Sequence, residues 1–73
     1  MIRDTDVART LSELMVEFGA RLNDSVALVQ QTCSQDEFER YSLAVGRIMA
    51  DILVEIMNPL YRSHPSLKPP ELH

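Results

Sequence analysis

Residues 36–57 read DEFERYSLAVGRIMADILVEIM, and this stretch carries more apolar surface than one neighbouring helix can cover. At about 100° per residue, its apolar side chains form a band of roughly 200°, whereas a helix packed on one side shows about 100° or somewhat more. The band consists of Phe38, Tyr41, Ala44, Val45, Ile48, Ile52 and Ile56, with Met49, Leu53, Met57 and Leu60 on one flank. A helix of this kind needs partners on two sides, which predicts self-association.

A second helix is predicted before this stretch, over about residues 5–33. Its apolar positions recur about every 3.7 residues, which is helical spacing and close to an eleven-residue repeat. They are Leu11, Met15, Phe18, Leu22, Val26, Val29 and Cys33. We therefore expect straight or slightly right-handed packing, with Cys33 as a small buried hydrophobic residue.

The link between the two helices is predicted to be very short. Ser34 and Glu37 have the spacing of a capping box, in which each side chain accepts a hydrogen bond from the backbone of the other. Two helices joined so closely lie antiparallel, so the numbers of facing residues add to a constant, here about 70. This register places Phe18 opposite Ile52 in the middle of the core.

The second helix is predicted over about 36–58 and to end before Pro59, because proline lacks an amide donor and disfavours helical geometry at the preceding residue. A kink is the alternative, and a short third helical turn over about 59–63 follows in either case. Residues 1–65 then form one helical hairpin domain, and 66–73 form a proline-rich flexible tail.

The tail has two interpretations that the sequence leaves open. Its apolar and proline side chains suit docking of an extended segment onto a partner protein. They are Leu67, Pro69, Pro70 and Leu72. Alternatively, these residues are simply a frayed chain end.

Composition excludes several classes of protein. The net charge is -4 and the chain has one lysine, which argues against nucleic-acid binding because that affinity comes largely from phosphate neutralisation. One cysteine permits no internal disulfide and fits a reducing compartment. The N-terminus lacks the apolar segment of a signal peptide, and no apolar run reaches membrane-spanning length. We expect a cytoplasmic protein without a membrane partner.

No catalytic, cofactor-binding or metal-binding residue is predicted, and no cofactor is implied. Two carboxylate pairs occur at helical spacing, but arginines near them indicate ordinary solvated ion pairs. The pairs are Glu13 with Glu17 and Asp51 with Glu55, and the expected partners are Arg9, Arg21 and Arg47. Neither His64 nor His73 lies in a main helix, which argues against a bundle metal site. Two glycines make no phosphate-binding loop, so the sequence does not indicate an enzyme.

The predicted fold is all-α: an antiparallel two-helix hairpin with a short third turn, pairing with a second copy as a homodimeric four-helix bundle. Oligomerisation is a common way for so short a chain to complete its core. Small and apolar residues on one flank of the second helix are the predicted dimer interface. They are Ser42, Gly46, Met49, Ala50, Leu53 and Met57.

The predicted function is a small cytoplasmic interaction or regulatory module that acts as a homodimer, with another protein as a further candidate partner. One alternative is a subunit of a ligand-binding or catalytic helical assembly whose site forms only between chains. The least favoured alternative is a nucleic-acid-binding regulator, which would require the arginines of this acidic chain to converge on one patch.

Overall fold

The computed structural model describes residues 2–68, and all the regular secondary structure within this range is helical. Helix α1 spans Thr5–Thr32 and α2 spans Gln35–Ile52; a π-helical turn (Leu53–Met57), helix α3 (Asn58–Ser63) and a short 3₁₀ turn (Pro65–Leu67) follow. No helix within residues 2–68 is long and apolar enough to cross a membrane. The all-helical class with two long helices is therefore confirmed.

Both long helices begin at side-chain caps that the local sequence provides. The Asp4 carboxylate accepts a hydrogen bond of 3.0 Å from the Val7 backbone amide at the start of α1. At the start of α2, the Ser34 hydroxyl accepts from the Glu37 amide and the Glu37 carboxylate accepts from the Ser34 amide, each at 3.2 Å. The predicted capping box is thereby confirmed, and it fixes the tight link between the helices.

The chain stays helical across Pro59, so the predicted helix end at Asn58 is wrong. Asn58 has helical dihedral angles (φ -62°, ψ -47°), and its amide donates to the Leu53 carbonyl, five residues earlier. A proline inside an ordinary α-helix collides with the carbonyl four residues before it, here that of Glu55. The π turn widens the backbone just before Pro59, so the helix continues into α3 without this collision. The second arm of the hairpin therefore consists of α2, the π turn and α3.

Three contacts show that the second arm runs antiparallel to α1. Two are hydrogen bonds between serine and tyrosine hydroxyls, of 2.7 and 2.8 Å, and one is a close approach of a methionine to a glycine. The pairs are Ser25 with Tyr41, Gly19 with Met49, and Ser12 with Tyr61. Their residue numbers add to 66, 68 and 73 in turn, so the predicted constant of about 70 holds only as a mean. A π turn contains one extra residue, and this residue accounts for part of the increase in the sum from 68 to 73.

The side of α1 that faces α2 is a heptad row, which we call the inner row. Its members are buried or half-buried and alternate in spacing between four and three residues. They are Ala8, Ser12, Met15, Gly19, Leu22, Val26 and Val29. This spacing is typical of left-handed packing, whereas the predicted stripe, with its spacing near an eleven-residue repeat, favours straight or slightly right-handed packing.

The inner row differs from the predicted apolar stripe of α1 at three positions. It shares Met15, Leu22, Val26 and Val29 with that stripe, but not Leu11, Phe18 or Cys33. Phe18, predicted to lie against Ile52 at the centre of the core, is 48% exposed. Cys33, predicted to be buried, is an exposed residue just after α1. The small side chains of Ala8, Ser12 and Gly19 explain this difference, because they allow the second arm to approach α1 closely along the inner row.

The best-packed part of the hairpin is its open end, where α3 meets the beginning of α1. Ala8 and Leu60 are fully buried there, and Ser12 and Tyr61 are each 6% exposed. A 2.5 Å hydrogen bond from the His64 ring to the backbone carbonyl of Ile2 holds the segment just before α1 against the same end. The core is therefore centred on α3 and not on the middle of α2.

Candidate interaction surface

A large amount of apolar surface is uncovered on the hairpin. Large apolar side chains that are at least 36% exposed in the described part of the chain are Val7, Leu14, Val16, Phe18, Leu28, Leu43, Ile48, Met49, Leu53 and Val54.

Four of these exposed side chains belong to one line along α1, which we call the outer row. Each member of the outer row directly precedes a member of the inner row, so the two rows are about 100° apart on the helix. The outer row is Val7, Leu11, Leu14, Phe18, Arg21, Ser25 and Leu28. Val7, Leu14 and Phe18 are each 48% exposed, so this second heptad row is largely without cover in the single chain.

A shallow groove of about 400 Å³ lies between the outer row and α2. It is lined by Leu14, Glu17, Phe18, Arg21, Leu22, Ser25 and Tyr41. The Ser25 hydroxyl donates to the Leu22 carbonyl at 2.6 Å, so in its 2.7 Å bond with Tyr41 it accepts the phenolic proton. This pair fixes the Tyr41 ring at one end of the groove.

The α2 side of the groove continues along the helix from Tyr41. Ala44 and Ile48 follow at helical spacing on the same side, and Ile48 is 48% exposed. Both long helices therefore contribute apolar side chains to this side of the hairpin.

The interface predicted from the sequence lies on the other flank of α2. Of its six residues, Ser42 and Met57 are half-buried, and the other four are exposed, namely Gly46, Met49, Ala50 and Leu53. Met49 already packs within the chain, since a Cβ placed on Gly19 would lie 3.8 Å from its terminal methyl carbon. Gly46 has no atom within 4 Å of the position that a Cβ would occupy.

Gly46→Ala is expected to raise the stability of the protein by up to about 1 kcal/mol, because alanine has the higher helix propensity and the added methyl group meets no neighbour. For a domain of this size, that change raises the melting temperature by about 4–8 °C. Thermal melts followed by circular dichroism measure it. Gly19→Ala is the matched comparison, with its methyl group in ordinary contact with Met49. A lower melting temperature for Gly46→Ala would mean that another helix packs against Gly46.

The described part of the predicted tail packs on α1. Leu67 is half-buried and lines a pocket with residues of the first half of α1. They are Arg9, Ser12, Glu13, Val16, Glu17 and Ala20. The other predicted partner-binding residues, Pro69, Pro70 and Leu72, lie outside the described residues.

Charged side chains in the described range form exposed ion pairs and no metal site. The predicted pair of Glu17 and Arg21 is present at 3.9 Å, whereas Arg9 pairs with Asp6 at 3.1 Å and not with Glu13. No ion pair joins Arg47 to Asp51 between residues 2 and 68, and no group of three or more His, Cys, Asp or Glu in that range could hold a metal ion.

The paired hydroxyl groups are the contacts that sequence reasoning missed. The apolar pattern places Tyr41 in the band of the second helix and predicts no role for Ser12, Ser25 or Tyr61. A usable signal existed, because a serine within an apolar row needs a hydrogen-bond partner once it is buried. The sequence did not indicate which tyrosine would supply that partner.

No protein-family model matches the chain, and no curated protein or solved structure matches it either.

Proposed function

We propose that this protein is a small helical interaction or regulatory module that acts as a homodimer. The observation that supports the proposal is the uncovered apolar side of the hairpin, to which α1 and α2 both contribute. Contiguous exposed apolar surface of this kind is typical of sites that bind another protein.

The small size of the core supports the same proposal. Only five of the described residues are buried, and four of them lie at the open end of the hairpin. A chain of this length rarely gains more than about 3–5 kcal/mol from its own core. A second copy would cover the apolar side and complete a four-helix bundle, in which each helix packs against two neighbours.

Light scattering on a size-exclusion column tests the proposal. We expect a mass of twice 8.3 kDa at micromolar concentrations. Because association stabilises the folded state, the melting temperature should also rise with protein concentration. A mass of 8.3 kDa at about 200 µM, with a melting temperature independent of concentration, would contradict the proposal.

A further inference from the structure

We infer that a second copy of this chain docks on the outer row of α1 and on the Tyr41–Ile48 side of α2, and not on the Met49–Leu53 flank. This inference rests on the proposed homodimer and specifies its interface.

The first argument is the pattern of α1. A helix in a four-helix bundle packs against two neighbours and therefore needs two adjacent apolar rows. The inner row packs against the second arm of the hairpin, as the burial of Ala8 and Ser12 shows. The outer row repeats the same heptad spacing about 100° away, and its large side chains are about half exposed.

The second argument is that the opposite flank receives little apolar surface from α1. Its exposed apolar side chains Met49 and Leu53, from α2 and the π turn, are 36% and 42% exposed. The one large apolar side chain that α1 adds there is Val16, which is 49% exposed and lines the same pocket as Leu67. A bundle built on that flank would therefore lack the second apolar row of α1.

The third argument is that a single twofold axis can bring an apolar residue of α1 and an apolar residue of α2 each against its own copy. An interface between identical copies must be complementary to itself, so the axis should pass through apolar positions of both helices at one level. Phe18 lies near the middle of the outer row, next to Gly19, and Ile48 lies next to Met49. Since the Met49 methyl lies 3.8 Å from the position that a Cβ on Gly19 would occupy, Phe18 and Ile48 are at nearly the same level of the hairpin. An axis at this level brings Phe18 against Phe18 and Ile48 against Ile48 of the two copies.

The charges at the rim are compatible with this antiparallel arrangement. Glu17 and Arg21 line the groove beside Phe18, and their side chains are 67% and 80% exposed. A twofold axis near Phe18 brings Glu17 of one copy toward both Glu17 and Arg21 of the other. The rim then carries two acidic and two basic side chains and no net charge, while the apolar row lies at the centre, as is usual in protein interfaces.

The chain contains no tryptophan, so a tryptophan introduced on either face is the only source of tryptophan fluorescence. We would compare Phe18→Trp with Leu53→Trp during dilution of the dimer. The expected result is a red shift of emission at position 18 as the dimer dissociates, and no change at position 53. An unchanged emission at position 18 while the mass falls from dimer to monomer would overturn the inference but leave the homodimer in place.

Charge substitutions give an independent test of the same faces. Phe18→Asp should weaken dimerisation by at least about 100-fold in sedimentation equilibrium, as expected for a buried aromatic anchor. Leu53→Asp should change it by less than about threefold, as for a residue outside the interface. Dimerisation that is lost in Leu53→Asp and kept in Phe18→Asp would overturn the inference. A wild-type chain that is monomeric would overturn the proposed function itself. If Phe18→Asp fails to fold, the fluorescence comparison of Phe18→Trp with Leu53→Trp still shows which of the two faces forms the dimer interface.

Discussion

Leu60→Ala is expected to lower the free energy of unfolding by about 2–5 kcal/mol, the usual cost of removing a buried leucine and leaving a cavity. Leu60 is the largest fully buried side chain in the described part of the chain, and it lies where α3 closes the open end of the hairpin. For a domain of this size, even the lower limit corresponds to a fall of roughly 8–16 °C in melting temperature. Urea unfolding and thermal melts measure both quantities.

Leu43→Ala is the matched control, since Leu43 is 59% exposed on α2. The same truncation there should change the free energy of unfolding by no more than about 0.5 kcal/mol. Equal effects of the two substitutions would show that the core is not centred on α3.

Ser12→Ala is expected to destabilise the protein by about 1–3 kcal/mol, because it leaves the buried Tyr61 hydroxyl without a partner. Tyr61→Phe should cost less, since the Ser12 hydroxyl that remains can turn to a carbonyl of its own helix. The double variant, which removes both hydroxyls, should be more stable than the sum of the single effects predicts, with a coupling of about 1 kcal/mol or more. Denaturant unfolding of the wild type, the two single variants and the double variant measures the four free energies of unfolding that give this coupling.

The pair of Ser25 and Tyr41 is the control for this cycle. Its hydrogen bond is of similar length, 2.7 Å, but the two residues are only part-buried. Water can replace the lost partner there, so Ser25→Ala should cost less than Ser12→Ala. The reverse order of the two effects would contradict the structural difference between the ends of the hairpin.

Features that depend on local sequence could be predicted. The helical spacing of apolar residues indicated two long helices, and the Ser34 and Glu37 capping box located the beginning of α2. Caps act through hydrogen bonds within four residues, so neighbouring residues decide them whatever the rest of the chain does. The position and shortness of the link follow from the same residues.

The helix across Pro59 could not be predicted in this way. Local rules place a break before a proline, and they were outweighed here by the packing of Leu60 and Tyr61 against the beginning of α1. The continued helix buries Leu60 and Tyr61 at the open end of the hairpin. Their contacts are with residues about fifty positions away in the sequence, which a local rule does not include.

The sequence by itself determined the helical class, the antiparallel connection and the surplus of apolar surface, because each follows from spacing and caps within a few turns of helix. Only the tertiary structure decided which residues in the first half of α1 face the second arm of the hairpin. Large apolar residues such as Phe18 marked the predicted stripe, whereas the small residues Ala8, Ser12 and Gly19 set the line of closest approach. Close approach depends on the shapes of both helices together, so the periodicity of one helix could not reveal it.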